Sequence, residues 1–326
     1  IIDNLTATIV LISLLQKIIK DRKMRLWFAG LIVIAANAGG AFSPIGDVTT
    51  TMLWIANKVS TGYLFAYLLL PSAVCMVIPT IIASRLPAFR GYIEIDTSES
   101  EPASRFSGPM LYLGLAAIIF VPIFKVATHL PPYVGMMLSL GVVAVFAEIF
   151  SSSKFSMTGV EKVNENPSVR HSPIHYSMSK IELPSILFFL GILMAVAALE
   201  SLGILFGFAD WLKVSTPTLG TELAGAEVSD LVVILLGVGS AVIDNVPLVA
   251  ASLGMFAEPM DHELWHFIAY AAGTGGSMLI IGSAAGVVAM GMEKINFFWY
   301  LKKISWLALI GFLAGAITFF FTRALI

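Results

Sequence analysis

The chain has 326 residues, 58% hydrophobic and 12% charged, with a mean hydropathy of +0.90. A soluble domain runs near about 45–50% apolar and 25% charged, so a soluble fold is excluded and an all-α polytopic protein of the lipid bilayer is expected. The net charge of -2 and the absence of any basic patch beyond short loops leave no footprint for nucleic acid. The single Cys75 has no intramolecular disulfide partner and reads as a packing residue.

A membrane-spanning helix needs about 20 apolar residues. In chain order the apolar runs fall at 5–19, 27–58, 63–84, 109–128, 134–150, 183–206, 230–257, 265–291 and 304–322. The first is short and reads as half of a hairpin. The 27–58 and 265–291 runs contain Gly-Gly pairs and are expected to break there. In 230–257 an apolar run is split by Asp244-Asn245-Val246-Pro247; Pro247 removes a helical donor and disfavours helix before it. That run reads as a re-entrant hairpin. Residues 88–107 and 151–182 are polar loops. His171 and His175 are four apart in the second, but Pro173 lies between them, and the segment reads as a solvated linker.

Two pairs of stretches repeat. Ile2-Asp3-Asn4-Leu5 returns as Ile243-Asp244-Asn245-Val246. Ala36-Asn37-Ala38-Gly39-Gly40-Ala41-Phe42-Ser43-Pro44-Ile45-Gly46 returns as Ala272-Gly273-Thr274-Gly275-Gly276-Ser277-Met278-Leu279-Ile280-Ile281-Gly282. Duplicated, interrupted apolar segments are the sequence pointer to a binding site near the bilayer midplane. The repeats divide the chain into 1–84, a loop at 85–107, and 108–326, the last including the 151–182 loop. The first Asp-Asn pair follows only two residues, whereas its copy follows more than a hundred of its own repeat. Repeat symmetry therefore predicts a further N-terminal part of about that length.

Loop charge sets orientation. With 20–26 in the cytoplasm and 230–257 re-entrant, 15 Lys and Arg fall inside and 4 outside. The C-terminus is then outside, and the two hairpins open to opposite faces, as inverted repeats require. Were 230–257 to cross once, Lys294, Lys302 and Lys303 would move outside.

Charge and irregular backbone survive in a bilayer only where they line a cavity or bind something. A dehydrated Na+ takes oxygen ligands from carboxylates, amides, hydroxyls and carbonyls. Asp3, Asn4, Thr6 and Thr8 offer them at the first tip, opposite Asn37, Ser43, Asp47, Thr49 and Thr50. The second copy offers Ser240, Asp244 and Asn245, opposite Thr274, Ser277 and Ser283. Carbonyls freed at the Gly-Gly pairs would add to both sets, and Pro44 keeps its stretch from closing into helix. Two Na+ positions are expected, one at Asp3, Asn4 and Asp47 and one at Asp244 and Asn245. Thr51, Ser139 and Ser252 read as bonded to a preceding turn. Glu148 and Glu200 lie near helix ends; Glu200 is the better candidate for a proton relay.

The copies are unequal. Asp47 aligns with Ser283, so the first set can hold two carboxylates and the second one. Two acids in one buried site tend to hold a proton between them, and a cation then competes with protons. That is the minimal requirement of a Na+/H+ exchanger.

Asn37-Ala38-Gly39-Gly40-Ala41-Phe42-Ser43-Pro44-Ile45-Gly46-Asp47-Val48-Thr49-Thr50-Thr51 resembles the signature of NhaD-type Na+/H+ antiporters, relatives of arsenite permeases and dicarboxylate transporters. The two Asp-Asn tips resemble the family's hairpin tips. The resemblance implies inverted repeats, a scaffold and a transport domain, homodimers, elevator-like alternating access, a multi-pass bacterial-type inner membrane location, a part in pH homeostasis, and Na+ or Li+ and H+ as transported ions with no cofactor. An anion or dicarboxylate carrier would be expected to show neutral tips, whereas both tips here present Asp. An arsenite carrier finds no thiol in the motifs. An intramembrane aspartyl protease would need a second acid on a facing helix; Gly46-Asp47 alone echoes it.

Overall fold

A computed structural model describes residues 3–89, 107–128, 130, 132–156, isolated positions between 187 and 211, and 228–326. Glu200, His171, His175 and half of the 183–206 run lie outside the described residues. Among the described residues every regular element is helical: α1 (Asn4–Ile18), α2 (Arg22–Ala41), α3 (Val48–Ile55), α4 (Thr61–Ser84), α5 (Ser107–Thr128), α6 (Pro132–Ser156), α7 (Asp230–Ile243), α8 (Asn245–Met255), α9 (Glu263–Gly275), α10 (Ala284–Glu293), α11 (Phe297–Lys303) and α12 (Ser305–Leu325). Of these α2, α4 and α12 are long and apolar enough to span a bilayer by themselves.

The chain forms two compact units, residues 1–97 with 191–326, and residues 98–190. In the second, α5 and α6 pack on each other. Ser139 Oγ donates to the Ala117 carbonyl at 3.1 Å, a tie between helices where the sequence suggests a bond within one.

The first unit carries every motif. Its helices start where short polar side chains cap them. Asp3, Asp21, Ser229, His262, Ser283 and Asn296 each accept from backbone N–H groups of the first turn that no carbonyl reaches. The most extensive helix pair is α4 with α12. Gly311 and Gly315 of α12 bring it close: a side-chain carbon at Gly311 would lie 2.5 Å from the Cys75 carbonyl, and one at Gly315 would run into the Tyr270 hydroxyl. Small residues one turn apart permit such backbone approach in a membrane. On the facing side α4 runs through Pro71 and Pro79 without ending.

Contacts sort the connections into two ends. At one, Lys58 Nζ donates to the Glu258 carbonyl, the Asp261 N–H to the Lys58 carbonyl, and Ser60 N–H to Asp261 Oδ1. There too Arg323 grips Asp230 through two bonds, 3.0 and 3.1 Å, with Glu263 at 3.6 Å. Arg323 thus joins the start of α7 to the start of α9. Both arms of the α7–α8 pair therefore open to the same end, which is the geometry of a hairpin. At the other end Arg25 pairs with Glu293 at 3.2 Å and Gln16 donates to the Met292 carbonyl.

Three expectations are corrected. Gly39-Gly40 does not interrupt α2, which continues to Ala41; the irregular stretch is 42–47. Pro247 does not break the hairpin. The chain turns at Asp244, and Pro247 falls in the first turn of α8, where a missing N–H leaves nothing unpaired. The 292–303 segment, read as loop, contains α11, seven residues capped by Asn296.

Asp230 is 2% exposed. Removing the guanidinium strips this buried carboxylate of its two-pronged countercharge, a loss of about 3–5 kcal/mol. Arg323→Ala is expected to lower the thermal midpoint in detergent sharply. Arg323→Lys, which keeps charge but not the two-pronged geometry, should fall between it and wild type.

Candidate functional site

The two hairpin tips meet the two broken helices. Each break closes on itself through glycines. A side-chain carbon at Gly40 would stand 2.6 Å from the Gly46 carbonyl, and one at Gly46 would stand 2.6 Å from the Gly40 carbonyl. In the second copy a carbon at Gly276 would collide with the Gly282 carbonyl, and one at Gly282 would stand 2.8 Å from the Gly276 carbonyl. Gly40, and both glycines of the second pair, therefore serve close approach, and in the second copy the helix also ends at Gly275. The shared Gly-Gly and Ile-Gly frame is the sequence trace of this geometry.

The hydrogen bonds do not keep to one repeat. Asn4 Nδ2 donates to Asn37 Oδ1 at 3.1 Å, and Asn37 Nδ2 donates to Ser283 Oγ at 2.9 Å. The first tip thereby reaches the second break. Asn245 Nδ2 donates to Asp47 Oδ2 at 2.8 Å, so the second tip reaches the first break. Asn4 N–H also donates to the Gly46 carbonyl at 3.0 Å. The expected set of Asp3, Asn4 and Asp47 is thus tied to the second tip through Asn245, and the expected set of Asp244 and Asn245, with Ser283 opposite, is tied to the first repeat through Asp47 and Asn37. Position 273, which aligns with Asn37, is glycine, and a side-chain carbon there would sit 3.9 Å from Asp47 Oδ2. A small residue here leaves room for the acid.

Asp47 and Ser283 occupy equivalent places, each preceding the second half of a broken helix. Ser283 Oγ caps its helix by accepting from Gly286 N–H at 3.2 Å. Asp47 makes no capping bond. Its carboxylate takes the Thr49 hydroxyl at 2.7 Å and the Asn245 amide instead. It is 3% exposed, with Asp3 and Asp244 both within electrostatic reach. Neutral donors and the positive end of α3 are what hold this charge.

The remaining sequence candidates divide. Thr50 Oγ1 donates to the Ser43 and Asp47 carbonyls, Ser240 Oγ to Gly237, Thr274 Oγ1 to Tyr270 and Ser277 Oγ to Thr274. These hydroxyls hold backbone while keeping lone pairs for another partner. Ser43 is buried in the first break. Thr8 bonds the Asn4 carbonyl, and Thr6 is exposed, contributing its N–H to the Asp3 cap. Sequence reasoning missed Tyr300, whose hydroxyl donates to the Ser277 carbonyl at 2.8 Å. A tyrosine among Phe, Trp and Lys carries no local signal of that contact.

Buried carboxylates, amides and opened backbone inside an apolar helical unit define a polytopic membrane protein of the transporter class. The family described as citrate transporter matches residues 1–267. Sodium/proton antiporter 2 of Arabidopsis thaliana is 42% identical over 98% of this chain and 72% of its own length. Sodium/proton antiporter 1 of the same plant is 42% identical over 97% of this chain, which spans about half (52%) of it. Na(+)/H(+) antiporter NhaD of Alkalimonas amylolytica is 35% identical over 93% of this chain and 62% of its own length. The chain belongs to the citrate transporter family, in its NhaD-type branch.

Asp244 has φ 80° and ψ 148°, a conformation open chiefly to glycine and costing other residues about 1–3 kcal/mol. Asp3, its counterpart, has φ -50° and no such strain. Asp244→Gly and Asp244→Ala both delete the carboxylate, but only glycine relieves the backbone. The glycine variant is expected to melt higher than the alanine variant while both lose the same function. Equal midpoints would show the turn to be unstrained.

Proposed function

We propose that the protein exchanges cytoplasmic Na+ or Li+ for external H+ across a bacterial-type inner membrane, contributing to pH homeostasis. The observation that carries this reading is Asp47. It is a buried acid withheld from helix capping by its side chain, bonded to neutral donors, with Asp3 and Asp244 within electrostatic reach. A carboxylate so placed is stabilised by either a proton or a cation, and the two exclude each other. Each tip asparagine donates through its nitrogen, and its amide oxygen is an acceptor by chemistry. The names of the relatives, Na(+)/H(+) and sodium/proton antiporters, support the same ions. Three acids at the site oppose an anionic substrate.

In this reading one Na+ position involves Asp3, Asn4 and Asp47 and the other Asp244 and Asn245, with the hydroxyls of Ser43, Thr49, Ser277 and Ser283 nearby. Glu200 remains a proton-relay proposal. The homodimer follows from the family resemblance. The inside-positive loop count supports an external C-terminus. The grouping of 58–60 with 258–263 at one end, and of Arg25 with Glu293 at the other, agrees with that orientation.

In everted vesicles acidified by respiration, added Na+ is expected to dissipate the pH gradient. Asp47→Asn and Asn245→Leu should abolish the response. Asp244→Asn should raise half-saturating Na+ at least tenfold, a loss of ~1.4 kcal/mol or more, with Ser283→Ala costing less. Exchange in Asp47→Asn with unchanged Na+ dependence and pH profile would falsify the shared-carboxylate mechanism.

Orientation is checked separately. Single cysteines placed in 258–264 and in 292–303 should react with an impermeant thiol reagent from opposite faces, the second from the cytoplasm. Reaction of both from one face overturns the hairpin topology.

A further inference from the structure

Tyr300 is fully buried on α11, and its hydroxyl is held at 2.8 Å on the carbonyl of Ser277. Ser277 lies just past the first half of the second broken helix. Its own N–H and Oγ both go back to the Thr274 carbonyl, at 3.1 and 2.6 Å. The turn that opens the break is thus fixed by its own chain on one side and by Tyr300 on the other. The stretch it opens packs on the last two turns of α7, immediately before Asp244. A side-chain carbon at Gly275 would lie 2.6 Å from Ser240 Oγ, and one at Gly282 would lie 2.6 Å from the Ala241 carbonyl.

The same short helix also reaches the other broken helix. Trp299 meets Trp27 of α2 edge-on, centroids 5.7 Å apart. Ile304, directly after α11, fills the space a side chain at Gly30 would take, 2.6 Å away. In the first break the hydroxyls on the Ser43 and Pro44 carbonyls are those of Thr50 and Thr51, further along the same chain. In the second, the Ser277 carbonyl depends on a separate element.

We propose that Tyr300 is a positioning residue for the second cation site. Its hydroxyl sets the Ser277 carbonyl, and through it the Gly275–Ser283 stretch, in the register that Asp244 and Asn245 require. The proposal rests on the Na+/H+ reading above. An internal control exists. Tyr270 is equally buried and also donates to a carbonyl, Phe312, at 2.7 Å, but that carbonyl belongs to α12 and not to a break. Loss of either hydroxyl removes one buried hydrogen bond to a backbone carbonyl. Loss of the Tyr300 hydroxyl alone frees the break.

The test compares Tyr300→Phe with Tyr270→Phe in everted vesicles, reading half-saturating Na+, maximal rate and the amount of protein in the membrane. Tyr300→Phe is expected to raise half-saturating Na+ fivefold to tenfold with the maximal rate within twofold of wild type. Tyr270→Phe should leave half-saturating Na+ within twofold. Unchanged half-saturation in Tyr300→Phe overturns the proposal, as does an equal shift in both variants. Failure of Tyr300→Phe alone to accumulate would make the hydroxyl a folding requirement and overturns it also. Wild-type vesicles with no Na+ response would instead overturn the exchange reading on which it rests.

Discussion

The bond from Asn245 to Asp47 spans 198 residues of chain and joins a hairpin tip to a break in the opposite half. Its setting gives it weight. A carboxylate 3% exposed cannot be left to itself in a low-dielectric interior. It needs donors, and the chain just after it offers the Thr49 hydroxyl and the Val48 N–H. A further donor, the Asn245 amide, comes from the distant tip, which is thereby held against the break. The Asn4, Asn37, Ser283 chain does the reciprocal service with neutral groups. The glycine contacts at 40 and 46, and at 276 and 282, bring the backbone near enough for both. A charge that must be satisfied at a distance is what makes the two halves one site.

The repeats, the tips and the breaks were legible in the sequence because each demands unusual residues in fixed order. Asp-Asn within an apolar run, and glycines six apart flanking a break, are costly in a bilayer unless a ligand or a close backbone contact compensates them. The helix caps are local too: Asp3, Ser229 and Ser283 each precede the helix whose first turn they bond. What was not legible was partnership. Nothing near Asp47 says that Asn245 will be its donor, since the sequence distance is large and the pairing is set by how the tips pack. The same holds for Asp230 and Arg323, which sit at the start of one apolar run and the end of another.

Local rules also misled in two places where tertiary demand outranked propensity. Gly39-Gly40 weakens a helix, yet α2 runs through it, because Gly40 must meet Gly46 without a side chain between them. Pro247 usually ends a helix, yet it stands in the first turn of one, where its lack of a donor is harmless. α11 escaped notice for a different reason. Seven residues are too few for a period to show, and Lys302 and Lys303 gave the stretch the look of a loop.

The two prolines of α4 carry a mechanical consequence. Pro71 and Pro79 cannot donate to the carbonyls one turn earlier, those of Tyr67 and Cys75. Each proline turn therefore has one backbone bond fewer than an ordinary helical turn to resist bending. The Cys75 carbonyl is met instead by the bare backbone of Gly311, an approach that needs no side chain to move aside. Stiffness in α4 is thus unevenly distributed along its length. The turns where its own bonding is thinnest are also where the bare backbone of Gly311 and Gly315 comes against it, at Cys75 and Pro79 and at Pro71.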